Sequence, residues 1–293
     1  MKKIAIIGGG VAAMSAAVYA LRANADVTMF APYGLGGLVA TIDKIDNFPS
    51  ETSTDGWTLS QSFVAQINAL GLKPLRERVL ALTKNGDEFH IVTDKAEYEF
   101  DSVVVASGTA HNKLGFEAQW VGRGVSYCAT CDGNFYRGKT VAVVGGGGQA
   151  VREALYLSDV VANVVVFVPG DKLTADAVST EQLVAKENVR IVYGVTVTGI
   201  YGEDVVDGVE VFAGGHTEKT DVAAVFVAIG AKPVTEFVQV DGVKDEKGYL
   251  KIDERCQTAV KGLFAAGDVT NGPLKQIVTA CGDGAKAGFF ACR

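Results

Sequence analysis

Residues 3–32 carry an apolar run, a glycine turn, an alanine-rich stretch and a second apolar run, and residues 140–169 carry the same series again. The first copy reads Ile4-Ala-Ile-Ile7, then Gly8-Gly-Gly10-Val11-Ala12-Ala13, a helical stretch to about Ala23, then Val27-Thr-Met-Phe30. The second reads Val141-Ala-Val-Val144, Gly145-Gly-Gly147-Gly148-Gln-Ala150, a helical stretch to about Ser158, then Val164-Val-Val-Phe167. Phe30 and Phe167 each lie 22 residues beyond the first glycine of their copy. In a strand, glycine turn, helix, strand unit the glycines let the backbone approach a pyrophosphate at the helix N-terminus. One such loop is weak evidence, whereas two in register, each in the right context, specify two nucleotide-binding units of α/β type.

Composition agrees. At 293 residues the chain is long enough for two domains with separate cores. The residues are 48% hydrophobic and 21% charged, which excludes a disordered chain. The 35 glycines cluster in runs without a period of three, which excludes collagen. A net charge of -7 argues against general nucleic-acid or anionic-membrane binding. The opening Met-Lys-Lys and apolar run resemble a secretion signal, but the run is broken by residues 8–10 and recurs in mid-chain, so it reads as part of the fold. No uncharged apolar stretch approaches the about 20 residues that span a bilayer. Five cysteines are too few for a disulfide-stapled secreted fold, and a cytoplasmic protein is expected.

Two of those cysteines, Cys128 and Cys131, stand three positions apart and are followed by Asp132. This spacing serves redox disulfides and metal sites alike. Zinc would require two further ligands, normally another such pair or paired histidines. Cys256, Cys281 and Cys292 are scattered singly, and His90, His111 and His216 stand far apart, so a redox pair is the favoured reading and no metal is expected. The three single cysteines read as small buried hydrophobes.

Between the two glycine units lie a Gly36-Gly37-Leu38 turn, a predicted helix over 58–70, alternating strands near 78–83, 88–93 and 96–100, and a buried strand from Ser102 through Ala106, Ser107 and Gly108 to Thr109. Beyond the second come a helix near Glu181, strands over 190–213 and a strand from Val225. Gly267-Asp268 and Lys275-Gln276-Ile277, opening a last helix, close the chain.

Together, the first glycine loop, Gly36-Gly37, Asn47-Phe-Pro49, Gly124-Val-Ser-Tyr-Cys-Ala-Thr-Cys-Asp-Gly133, the second loop and Leu263-Phe-Ala-Ala-Gly-Asp268 resemble the low-molecular-weight thioredoxin reductases over nearly the whole chain. The resemblance implies two Rossmann-like, three-layer ββα domains, the second inserted in the first: an FAD domain of residues 1–112 plus 243–293, and a redox domain of residues 113–242. It implies that Gly8, Gly10, Val11, Ala12 and Ala13 line the FAD pyrophosphate, with Gly36, Gly37, Leu38, Asn47, Ala106, Ser107 and Gly108 also against the cofactor. Asp268, after Gly267, would hold the ribityl chain, while Lys275, Gln276 and Ile277 approach the isoalloxazine. The family usually has arginine where Lys275 stands, so the charge is kept and the planar fork lost. Cys131 would face the flavin, Cys128 would attack the disulfide of thioredoxin, and Asp132 would exchange protons as general acid and base. A homodimer and a rotation of the inserted domain between half-reactions are further implications.

The electron donor is where the likeness fails. NADPH-dependent members carry His-Arg-Arg and a further arginine after the second strand of the inserted domain, to grip the 2'-phosphate. Here that place reads Phe167-Val-Pro-Gly-Asp171-Lys172-Leu173, without an arginine. A member independent of pyridine nucleotide, fed by ferredoxin, is therefore favoured. NADPH or NADH in a degenerate pocket, an oxygen-using dithiol oxidase of the same architecture and a flavin-binding sensor are the alternatives.

Overall fold

The computed structural model describes residues 1–42, 45 and 47–293; Asp46, in the segment before Asn47, lies outside the described residues. The chain forms two compact units, residues 1–110 with 232–293, and residues 111–231.

The first unit opens with strand β1 (Lys3–Ile7), helix α1 (Val11–Arg22), β2 (Asp26–Phe30) and α2 (Gly56–Ala69). An antiparallel sheet of β3 (Val79–Asn85), β4 (Glu88–Thr93) and β5 (Glu97–Phe100) follows, then β6 (Ser102–Val105). The chain passes into the second unit within β7 (Thr109–His111). There it forms β8 (Val125–Ser126), α3 (Ala129–Asp132), β9 (Thr140–Val144), α4 (Gly148–Val160), β10 (Asn163–Val168), α5 (Ala177–Val184) and β11 (Val189–Tyr193). A second antiparallel sheet, β12 (Thr196–Gly202), β13 (Val206–Ala213) and β14 (His216–Asp221), precedes β15 (Val225–Val227). The chain returns within β16 (Ala231–Pro233) and ends with β17 (Leu263–Ala265) and α6 (Ile277–Ala291).

Each unit is built on a parallel sheet, ordered β17-β6-β1-β2 in the first and β11-β10-β9-β15-β8 in the second. Strand alternation explains the three layers. Ile4 and Ile6 pack among the residues of α1 and α6, while Ala5 and Ile7 pack with Leu82, Phe89 and Ile91 of the antiparallel sheet. In the second unit Val141 and Val143 face α4, and Ala142 and Val144 face Val209 and Val211 of β13. A strand buried on both faces needs the unbroken apolar runs seen in both copies.

The copies agree closely at the first glycine of each turn. The Gly8 N–H donates to Phe30 O and the Gly145 N–H to Phe167 O, each at 2.9 Å. Gly8 has φ 134° and Gly145 φ 141°. A Cβ on Gly8 would lie 2.1 Å from Ala106 O, and one on Gly145 would lie 2.2 Å from Ala228 O. Only glycine suits a left-handed backbone crossed so closely by the neighbouring strand.

Two boundaries differ from the sequence reading. The last crossing falls at 231/232 instead of 242/243, because Phe237 and Val238 pack in the first unit's core with Leu82, whose N–H donates to Phe237 O at 2.8 Å. Strand β6 ends at Val105, short of Thr109, because Gly108 turns the chain at φ 69° and the Ser107 hydroxyl donates to Val234 O. Among the described residues no helix is long and apolar enough to cross a membrane.

Candidate active site

In the first unit the loops at the carboxyl ends of β1, β2, β6 and β17 converge, where a parallel sheet that reverses its strand order takes ligands. Gly10 is the N-cap of α1, with extended backbone and no side-chain cap, and no acidic residue occupies the first turn. A Cβ added at Gly10 would meet nothing within 4 Å. The uncapped N–H groups of α1 therefore face an open cradle suited to a phosphate. Gly37, at φ 63°, comes so near that its Cβ would lie 2.7 Å from Gly10 Cα, and the Gly36 N–H donates to Gly9 O at 2.9 Å. Gly267, at φ 75°, closes on Ala12, which with Val11 and Ala13 is buried. Ala106 abuts Gly8, followed by Ser107 and Gly108. Leu38 lies half exposed in a short turn over Gly37–Thr41.

The far end of the cradle is polar. Asn47 Nδ2 donates to Gln276 Oε1 at 3.0 Å across 229 residues of sequence. Gln276 also caps α6 in a capping box with Thr279, which sets the direction of Ile277 and the first turn. Lys275 donates to the carbonyl of Thr270 and lies 4.8 Å from the Tyr249 ring centre. Burial lowers the Lys275 pKa and raises that of Asp268, a shift that the nearby Lys275 charge partly offsets. The sequence-predicted cofactor residues of the first unit thus gather at one sheet end, and the donor set, an anion cradle at one end and an amide–carboxylate–ammonium group at the other, fits a dinucleotide such as FAD.

The cysteine pair lies in the second unit, where Cys128 and Cys131 are joined by a disulfide with their Cα atoms 5.4 Å apart. Cys128 ends the extended run from β8 and caps α3. Its N–H donates to Ser126 Oγ at 3.0 Å, and its sulfur accepts from the Cys131 N–H at 3.2 Å and lies 3.3 Å from Thr130 Oγ1. Donors aimed at sulfur favour the thiolate, the reactive form of a cysteine. Cys131 is exposed, whereas Cys128 and Asp132 are half-buried. Tyr136 is raised by burial first and by the Asp132 charge second. The remaining cysteines differ: burial pushes Cys256 up to about 12 and Cys281 up to about 11.

The second glycine loop is covered in part by its own chain. Thr174, beyond β10, donates its N–H to Gly146 O at 2.7 Å, and its hydroxyl lies 3.3 Å from the same oxygen. A Cβ on Gly146 would stand 2.6 Å from Val168 Cγ1. Within α4 Gln149 donates to Glu153 Oε1 at 2.9 Å, and the buried Oε2 meets no partner among the described residues. Burial, only partly offset by Gln149 and Arg152, moves Glu153 up to about 7.

Residues 2–284 match the family model "Pyridine nucleotide-disulphide oxidoreductase". The chain belongs to that family. It is 36% identical over 293 residues to the thioredoxin reductase of Treponema pallidum (strain Nichols), covering 98% of this chain and 95% of the relative. The structure of Lactococcus lactis thioredoxin reductase superposes with a TM-score of 0.90 at 32% identity, covering 99% of this chain and 98% of that one. A ferredoxin-flavin thioredoxin reductase from Clostridium acetobutylicum superposes with a TM-score of 0.55 at 28% identity, over 99% and 96%. The protein is thus a thioredoxin reductase-like flavoenzyme, an FAD-dependent disulfide oxidoreductase with the two-domain α/β fold of its relatives. Sequence reasoning missed three residues, Glu117, Tyr127 and Ser126, because hydrogen bonds made by side chains in irregular stretches leave no periodic signal.

Proposed function

We propose that the protein reduces the disulfide of thioredoxin through FAD and the Cys128/Cys131 pair, with electrons that come from ferredoxin and not from NADPH. The observation that carries the donor reading is the loop after β10. Residues 168–174 hold no arginine, Asp171 adds a negative charge where a 2'-phosphate would lie, and Thr174 already binds the glycine turn. The Clostridium acetobutylicum likeness supports the same donor class. A second reading, an NADPH- or NADH-dependent reductase, is favoured by the uncapped N-terminus of α4 at Gly147 and by the relatives named thioredoxin reductase.

FAD, when bound along Gly8, Gly10, Gly37 and Asp268, supplies the two electrons of the reaction, which a flavin accepts singly or as a pair. The chain's own part is dithiol chemistry. Two electrons and two protons open the Cys128–Cys131 bond to two thiols. The Cys128 thiolate, held by the Cys131 N–H, attacks one sulfur of thioredoxin's disulfide and the other sulfur leaves as a thiolate. Cys131 then attacks Cys128, releases dithiol thioredoxin and restores the disulfide. Asp132 takes the proton of the thiol that attacks and gives it to the thiolate that leaves. The reading includes a cytoplasmic homodimer, which light scattering checks.

Calorimetric titration of the oxidised protein with NADP+ tests the donor reading. The expected result is no binding up to about 1 mM, equivalent to less than about 4 kcal/mol. Micromolar binding would overturn it.

A further inference from the structure

Glu117 is the most deeply buried carboxylate of the second unit outside its glycine helix, at 1% exposure, and it lies ten residues before Tyr127. Both its oxygens are engaged. Oε1 accepts from the Tyr127 hydroxyl at 2.7 Å and from the Leu114 N–H at 2.8 Å, and Oε2 accepts from the Gly115 N–H at 2.7 Å. Burial alone would raise its pKa, but these donors outweigh it and hold the carboxyl below its ordinary value. Tyr127 stacks in turn on His111, with ring centres 5.6 Å apart and planes 19° apart. Nδ1 of His111 is buried without a partner among the described residues, so the ring is held by stacking and packing. These residues lie in the second unit, between the point where the chain enters it and the cysteine pair.

We infer that Glu117 and Tyr127 are positioning residues for Cys128. The Tyr127 side chain is pinned by a charge-assisted hydrogen bond and a stacked ring, and the next residue is the cysteine whose N–H is held by Ser126. Held through Ser126 and Tyr127, the Cys128 backbone is kept in the extended conformation that brings its sulfur to Cys131. A chain so pre-organised loses less freedom when the disulfide closes, so the clamp favours the disulfide over the dithiol. Loss of the tyrosine hydroxyl leaves Glu117 its two backbone donors and frees only the Cys128 side.

The inference rests on the redox reading of the cysteine pair. Its test uses neither thioredoxin nor ferredoxin nor a pyridine nucleotide, so failure of the donor reading leaves it standing. The holoprotein is equilibrated anaerobically in mixtures of reduced and oxidised dithiothreitol, trapped with an alkylating agent and weighed by mass spectrometry. In this exchange the dithiol of the reagent is oxidised as the protein disulfide gains two electrons and two protons. Tyr127→Phe is expected to shift the equilibrium constant about fivefold toward the dithiol, the size of a loss of about 1 kcal/mol. Glu117→Gln keeps one acceptor oxygen for the tyrosine and is expected to shift it less, while lowering the melting temperature. If Tyr127→Phe does not fold, the shift in Glu117→Gln decides. A shift of twofold or more toward the dithiol supports the role; a smaller shift, or one toward the disulfide, overturns it, whatever the melting temperature does.

Discussion

Gly10 and Gly8 sit two residues apart in one turn, yet alanine at each should fail for different reasons. At Gly8 the backbone is left-handed and a Cβ would stand 2.1 Å from Ala106 O. The conformation costs about 1–3 kcal/mol and the forced shift of β1 from β6 about 1–3 more. Together they remove a large part of a total stability of about 5–15 kcal/mol. At Gly10 the backbone, φ -81° and ψ -178°, suits any residue, and a Cβ meets nothing within 4 Å. Loss of a glycine N-cap costs about 0.5 kcal/mol, and reduced freedom of the unfolded chain returns a similar amount, about 0.4–1 kcal/mol. The protein without cofactor should therefore be unchanged, while the methyl fills the space that the FAD phosphates need. Thermal melts of FAD-free protein and fluorescence titration with FAD separate the two. Gly8→Ala should lower the melting temperature of the FAD-free protein by about 4 °C or more, at about 2–4 °C per kcal/mol. Gly10→Ala should leave it within about 2 °C and weaken FAD binding at least about tenfold, or about 1.4 kcal/mol. Equal loss of stability in both variants, or full FAD affinity in Gly10→Ala, would refute the assignment of the cradle.

Three further outcomes follow from the same structure. Glu153 has a folded-state pKa of about 7 against an ordinary 4.5, so its contribution is fully present below about pH 4.5 and is lost as pH rises through 7; Glu153→Gln should remove on the order of 3 kcal/mol of that pH dependence and stabilise the protein at pH 8, as urea melts would report. Asp132→Asn should slow thioredoxin reduction by about 10²–10⁴-fold while leaving FAD content unchanged, measured by stopped-flow with chemically reduced enzyme. Gly284→Ala would drive a methyl to 2.2 Å from Ala12 O, where α6 crosses α1, and should cost about 1–3 kcal/mol in a chemical melt.

Much of this molecule was legible in its residues because parallel strands buried on both faces must be continuously apolar, and both copies of the repeat are. The glycine turns were legible for a similar reason: Gly8 and Gly145 hold backbone angles that other residues avoid. The end of β6 was not, since Ser102 to Thr109 reads as one strand and only the turn at Gly108 breaks it. The second crossing was misplaced because Val234, Phe237 and Val238 lie in an irregular stretch, and nothing periodic marks them as core of the first unit. Asn47 and Gln276 were named from the family resemblance, but their contact across 229 residues is a product of the fold alone. The clamp of Glu117 on Tyr127 left no trace in the sequence, because a glutamate in a loop is ordinarily solvated.

Which donor feeds the flavin is decided by watching the flavin itself. The purified protein is made anaerobic and mixed in separate runs with photoreduced ferredoxin, NADPH and NADH, while the yellow absorbance and the thiols of added thioredoxin are followed together. Bleaching by ferredoxin alone is expected, with two thiols appearing on each thioredoxin reduced. Rapid bleaching by NADPH, with thioredoxin reduced at the same rate, would contradict it and make residues 168–174 part of a nucleotide site.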